Sequence, residues 1–305
     1  MPRLGMHSSS RLSLAVVSVL FVFLSVGHTF KSQDIPPRVD YAPVAAQLEK
    51  MIAHEMQDKK LPALSIALVD DQEIVWAKGF GMADREKKIP ATAETVYRVG
   101  SVSKLFTDIG IMQLVEAGRI DLDAPVTKYL PDFQSRNSFD KAITLRQLMS
   151  HRSGLVREPP VGNYFNDSNP SLAQAVASLN STELVYEPEK RIKYSNAGIS
   201  VVGFVLEKTQ EKPFAKYLKQ AVIEPLGLQK SAFVPEPEII KDLAKAYMWS
   251  YDGREFDAPT FQLGMSPAGS MYSTVTDLGR FMSILFNGGK STSGHILKKE
   301  TLEKM

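Results

Sequence analysis

The chain has 305 residues, with 36 Lys plus Arg against 34 Asp plus Glu, 44% hydrophobic residues and no cysteine. That composition excludes a disordered chain, and a formal charge of +2 gives no electrostatic ground for a nucleic-acid partner. Without Cys there is no disulfide framework, thiol nucleophile or thiolate-bound zinc.

Arg3 and Arg11 precede an uncharged stretch from Leu12 to Phe30, with the small residues Ser25 and Gly27 behind its apolar centre. The pattern predicts a secretory signal peptide over residues 1–27, cleaved after Gly27. An uncleaved anchor is the competing reading, because the run approaches the roughly 20 residues that span a bilayer. Either way the globular part is exported, periplasmic or extracellular, and meets a membrane only through that possible anchor. The segment carries two basic and no acidic residues, so its loss leaves 34 against 34.

Residues 28–43, with Pro36, Pro37 and Pro43, predict a tether before a domain over residues 44–305. Val44, Leu48, Met51, Ile52 and Met56 recur at helical spacing and predict an amphipathic helix over 44–59. Ala63 to Val69 and Glu73 to Phe80, joined by Asp70-Asp71-Gln72, predict a hairpin, and Thr95 to Val99 a third strand. Val102 to Glu116 is apolar on nearly every side, which marks a buried helix ending at Gly118.

Residues 120–190 are rich in Pro, Asn, Asp and Ser, with helical pieces at 145–150 and 171–179, and predict a mostly helical, loop-rich lobe. Helices follow over 198–208, 214–223 and 276–286. Strands at both ends with helices between predict a two-lobed α/β (α+β) enzyme, an antiparallel sheet flanked by helices plus the helical insertion.

The chemistry narrows by what is missing. No Gly-x-Ser-x-Gly occurs, and His54, His151 and His295 show no metal-ligand spacing. Ser-x-x-Lys remains, which pairs a serine with a base that is not histidine. At i and i+3 on a helix the two side chains share a face, and a desolvated lysine can then take the hydroxyl proton. The motif occurs twice, as Ser101-Val-Ser-Lys104 and Ser138-Phe-Asp-Lys141. Only Ser101 stands where a strand turns at Gly100 into the most apolar helix. On spacing alone Ser101 reads equally well as a helix N-cap.

Tyr97-Arg-Val-Gly-Ser101-Val-Ser-Lys104, running on through Gln113-Leu-Val-Glu-Ala-Gly to Lys128-Tyr-Leu-Pro131, resembles the active-site segment of the serine β-lactamase and penicillin-binding-protein superfamily. Ile143 to Leu155, Lys193-Tyr-Ser-Asn-Ala-Gly198, Glu224-Pro-Leu-Gly-Leu228 and Pro267-Ala-Gly-Ser270 agree in the same order. The likeness is to the branch of class C β-lactamases, D-amino-acid peptidases and esterases. It implies a β-lactamase/transpeptidase-like fold, a small-molecule or short-peptide substrate, and no cofactor.

The resemblance also assigns residues. Ser101 would be the nucleophile, Lys104 its base, Tyr194 a proton shuttle, and Asn196 a hydrogen-bond partner for the substrate amide or the Lys104 ammonium. Tyr194-Ser-Asn196 is preferred to Tyr164-Phe-Asn166 because an apolar helix follows it. The family's loop containing His151 implies a structural role for that residue, and Ser103 points to a different face from Ser101. The alternative, from another class, is a non-catalytic or merely acylable penicillin-binding protein.

One element is absent from the pattern. The family's cleft strand carries Lys-Thr-Gly or His-x-Gly, and the local candidate, Gly289-Lys-Ser-Thr-Ser-Gly294, reads as a loop with Lys290 a solvated charge. A C-terminally truncated chain is therefore expected, with half of the oxyanion hole missing, a loss of about 100- to 1000-fold in rate.

Overall fold

The computed structural model describes residues 34–305, so the expected signal segment over 1–27 lies outside the described residues. Helix α1 (Ala42–Asp58) carries Pro43 in its first turn, where a missing N–H leaves nothing unpaired. Its apolar stripe, Ala45, Leu48, Ile52 and Met56, packs on Trp76 and on Leu64, Ile66, Leu68 and Phe80 of the hairpin.

That hairpin is β1 (Ala63–Asp70) and β2 (Glu73–Asp84), antiparallel as expected. Asp71 and Gln72 stand at φ 46° and 63°, the two-residue turn that suits the right-handed twist of the strands. A short β3 (Ile89–Pro90) joins β2, giving the order β1-β2-β3. The free edge of β1 has no strand beside it among the described residues.

Next come β4 (Tyr97–Arg98) and the central helix α2 (Ser103–Glu116). Phe106, Ile109, Ile111, Met112 and Leu114 are buried around most of α2, with Leu105 on its exposed strip, and Gly118 closes it at φ 67° with Arg119 N donating to Leu114 O at 2.9 Å. The lobe over 120–190 is irregular apart from short helices, chiefly α3 (Leu145–Met149) and α4 (Leu172–Ser178). Each opens with a capping box, Thr144 with Gln147 and Ser171 with Gln174.

Helix α5 (Asn196–Gln210) crosses the core, followed by α6 (Phe214–Leu218), which widens into a π turn over Lys219–Ile223 where one continuous helix was expected. Then follow α7 (Pro237–Ile240), the hairpin β5 (Tyr247–Trp249) with β6 (Glu255–Asp257), α8 (Ser266–Gly269) and β7 (Tyr272–Ser273). Helix α9 (Val275–Phe286) lies on the sheet face opposite α1. A Cβ on Gly279 would sit 3.0 Å from Ile74 and 3.4 Å from Val69. The chain closes with β8 (Lys290–Ser291), β9 (Gly294–His295) and α10 (Lys299–Leu302). This is the expected antiparallel sheet flanked by helices, with a lobe over 120–190 whose regular pieces are short helices. No described helix is long and apolar enough to cross a membrane.

Three expectations need correction. Residues 34–41 are docked rather than tethering: Ile35 and Ala77 exchange backbone hydrogen bonds at 2.8 and 3.0 Å, and the Asp34 carboxylate accepts from Ala93 N at 2.8 Å. A single bridging residue leaves no periodic trace in a sequence. The third strand shrinks to Tyr97–Arg98 and pairs with β7 instead of the hairpin. Lys290 is exposed as expected, but it belongs to a paired hairpin, not an open loop.

Candidate active site

Gly100 stands at φ 54°, a left-handed backbone turn that carries the chain from β4 into a short 3₁₀ turn, Gly100–Val102, ahead of α2. Ser101 lies in that turn and is exposed. The turn is fixed from beneath by Ser103, whose hydroxyl donates to Gly100 O at 2.6 Å and accepts from Met271 N at 3.0 Å. Val99 N bonds Met271 O at 2.9 Å, so the β4–β7 pair clamps both sides of the turn. Ser103 thus points away from the site, as expected, and locks the position of Ser101.

Lys104 is buried at 7% exposure, and its ammonium donates to Ser101 Oγ at 3.2 Å and to Ala268 O at 2.6 Å. The second bond aims it, because α8 is held to α2 by Thr107 Oγ1 donating to Pro267 O at 2.9 Å. The Tyr194 hydroxyl lies 2.6 Å from Ser101 Oγ. Three of the four expected residues therefore converge on one oxygen.

Tyr194 comes from just before α5. Ser195 is the N-cap, accepting from Gly198 N at 2.8 Å and donating to Val156 O at 2.7 Å. The loop after α3 grips the same segment: Lys193 N bonds His151 O at 2.8 Å, Ser195 N bonds His151 Nδ1 at 3.3 Å, and Asn196 N bonds Arg157 O at 2.8 Å. The His151 ring packs on Tyr194 at 4.5 Å between centroids. Lys104 Nζ and the Arg157 guanidinium also sit over the Tyr194 ring, at 4.8 and 5.3 Å. Burial, followed by the nearby Lys104 charge, holds the His151 imidazole below its usual range.

Asn196 is buried at 2% and does not bond Lys104. Its amide donates to both carboxylate oxygens of Glu158, at 2.8 and 3.0 Å, while its Oδ1 is buried without a partner. The Glu158 contact has no trace in the motif, because it arrives from a Pro-rich loop. Tyr164, the rejected Tyr-x-Asn candidate, lies near enough to Glu158 and Tyr194 that burial and their charge raise its phenol above the usual range.

The Lys290 hairpin lies elsewhere. Gln113 Nε2 reaches Ile296 O beside it at 3.3 Å, and Gln113 is about 18 Å along α2 from Ser101 at 1.5 Å per residue. Nothing in that hairpin can complete an oxyanion hole with the Ser101 N–H.

The profile of the family described as Beta-lactamase matches residues 48–305. The chain belongs to the Beta-lactamase family. The relatives of this Beta-lactamase family member include Beta-lactamase-like protein 2 of Dictyostelium discoideum, 32% identical over 79% of this chain and 45% of that protein. Among solved structures, the octameric penicillin-binding protein homologue from Pyrococcus abyssi superposes with a TM-score of 0.75 at 31% identity, over 86% of this chain and 59% of the other. The D-amino acid amidase from Ochrobactrum anthropi SV3 superposes with a TM-score of 0.70 at 27% identity, over 85% and 75% of the two chains. The chain spans about half the length of the curated relatives it matches.

Proposed function

We propose that this Beta-lactamase family protein is an exported serine hydrolase working through an acyl-enzyme. The reading rests on one observation: Ser101 Oγ has Lys104 Nζ at 3.2 Å and Tyr194 OH at 2.6 Å. A hydroxyl flanked by a buried amine and a phenol has a route for its proton as it becomes a nucleophile. Ser101 Oγ bonds to the carbonyl carbon of an amide, lactam or ester, and its proton passes through Lys104 and Tyr194 to the departing nitrogen or oxygen. Water then attacks the ester on Ser101, giving up a proton along the same path, and the acid product leaves.

Asn196 Oδ1 is buried without a partner, so its acceptor capacity is unused, and a substrate N–H brought to it would satisfy it. The candidate substrates are β-lactams, D-amino-acid peptides or amides, and esters. The D-amino acid amidase relative supports the amide among them. Ser101 at the helix start also offers its own N–H to the developing oxyanion.

Incubation with a fluorophosphonate or a penicillin followed by intact mass measurement tests the reading. One adduct is expected, on Ser101, absent from Ser101→Ala, with turnover of a chromogenic ester or lactam lost in that variant. Tyr194→Phe is expected to lower acylation by about 10²- to 10⁴-fold while leaving the fold intact. A folded protein that takes no label on Ser101 sinks the proposal.

A further inference from the structure

His151 has no part in the chemistry above, yet it holds the residues on both sides of Tyr194. Its backbone carbonyl accepts from Lys193 N at 2.8 Å, and its ring Nδ1 accepts from Ser195 N at 3.3 Å. The same ring packs on the Tyr194 ring, 4.5 Å between centroids. His151 stands at φ 60°, a left-handed conformation that persists where the surrounding contacts over-determine it. A ring nitrogen accepts an N–H only through its lone pair, so the bond from Ser195 N requires that Nδ1 carry no hydrogen. In the neutral ring that hydrogen sits on Nε2, and a second proton can go only to Nδ1. Protonation would then set two N–H donors against each other. Ser195 is 1% exposed, so its N–H has no water to turn to once Nδ1 is withdrawn.

We propose that His151 is a positioning residue for the Tyr194 hydroxyl, serving only as the neutral imidazole, and that a proton on Nδ1 releases the Lys193–Ser195 segment and slows attack by Ser101. This goes beyond the structural role that the family likeness implies, and it rests on the reading of Ser101 as nucleophile with Tyr194 in its proton path. Tyr194 OH stands 2.6 Å from Ser101 Oγ, so any retreat of the segment lengthens the bond that carries the proton. The groups facing the imidazole are Tyr194, from the segment before α5, and Lys104, from α2, whose charge disfavours a second cation beside it. Arg157 lies over the same Tyr194 ring at 5.3 Å, and Lys193 carries its ammonium to the Tyr186 ring at 5.7 Å. Arg152, next in the chain, is also cationic. Burial acts in the same sense as the Lys104 charge, so the imidazole takes up its proton below the usual range.

The test is the rate of Ser101 labelling by a fluorophosphonate in the full chain, from about pH 4.5 to about pH 8, in wild type, His151→Asn and His151→Phe. Asn keeps an oxygen acceptor near the place of Nδ1 and tolerates the left-handed backbone, whereas Phe keeps the ring without an acceptor; neither titrates. Titration of Lys104 enters every profile and cancels from a ratio of rates. The wild-type rate divided by the His151→Asn rate is expected to be flat above about pH 6.5 and to fall by up to about tenfold per pH unit below the break. His151→Phe is expected to label more slowly than His151→Asn at about pH 8, because it leaves the Ser195 N–H unpaired. Circular dichroism at each pH establishes that the samples compared are folded. A ratio that stays flat down to about pH 4.5, at whatever value, overturns the role, as does a His151→Phe rate equal to or above that of His151→Asn. Should neither variant fold, the wild-type profile decides: a slope that does not steepen below about pH 6.5 overturns it. An adduct on wild-type Ser101 with a flat ratio removes His151 alone. No adduct on folded wild type removes the underlying reading as well.

Discussion

Two hydrogen bonds converge on Ser101 Oγ from side chains that the sequence separates by 90 positions, Lys104 at 3.2 Å and Tyr194 at 2.6 Å. Lysine 104 was legible because the three-residue interval on a helix forces the contact wherever the helix forms. Tyr194 came from the likeness to the family's Tyr-x-Asn, and the apolar helix that follows it set it apart from Tyr164. Neither argument reaches His151, because a ring contact between two loops leaves no interval to read. His151 stands at φ 60°, a conformation that Asn also adopts, so His151→Asn removes the ring while keeping the backbone. Losing that aromatic contact is worth about 0.5–1.5 kcal/mol, and acylation is expected to slow by no more than about tenfold, with Ser101 still labelled. The sign of the pH effect follows from burial. Since the folded protein holds His151 below its usual value, the unfolded chain binds the proton first as pH falls through about 6.5. Wild type therefore loses stability below that pH relative to His151→Asn. Urea melts either side of pH 6.5 measure it, and parallel curves would show that the imidazole stays solvated.

Elements carry the aim of Lys104. Helix α8 presents Ala268 O to it at 2.6 Å, and α8 is placed by α5 as well as α2. A Cβ on Gly203 of α5 would lie 2.1 Å from Pro267 Cγ and 2.5 Å from its Cβ, inside any tolerable contact. Gly203→Ala is expected to push α8 away, destabilise the fold by about 1–3 kcal/mol and slow acylation through the displaced carbonyl. Gly100→Ala makes the contrasting case. Its Cβ would meet open space, so only the left-handed φ of 54° is strained, for about 1–2 kcal/mol. Thermal melts and labelling rates on the pair separate crowding from strain, and a Gly203→Ala protein that labels at the wild-type rate would refute the α8 argument. The helices α1, α5 and α9 were legible because each repeats an apolar pattern over three turns or more, and α2 because it is apolar on nearly every side. The β4–β7 pair, two residues a side, was not, although it clamps the turn that holds Ser101.

At the scale of the whole molecule, α2 packs on α5, α6 and α8 in the main core, so a titratable group on it bears on global stability. Asp108 ionises near 3.8 in an unfolded chain and near 8 in the folded one. Between those values the folded state holds a proton that the unfolded state has released, so stability falls as pH rises through the window and levels off above about 8. The slope from one such group is at most about 1.4 kcal/mol per pH unit. His151 acts in the opposite sense, and only below about 6.5. From there to about pH 8 the two effects separate, and Asp108 is the group of the pair that still titrates. Asp108→Asn is accordingly expected to gain stability over wild type progressively across that interval, with equal slopes beyond it. Urea denaturation at three pH values inside and above the window reads the difference directly. A constant offset between the two proteins would mean that Asp108 is already ionised in the folded chain.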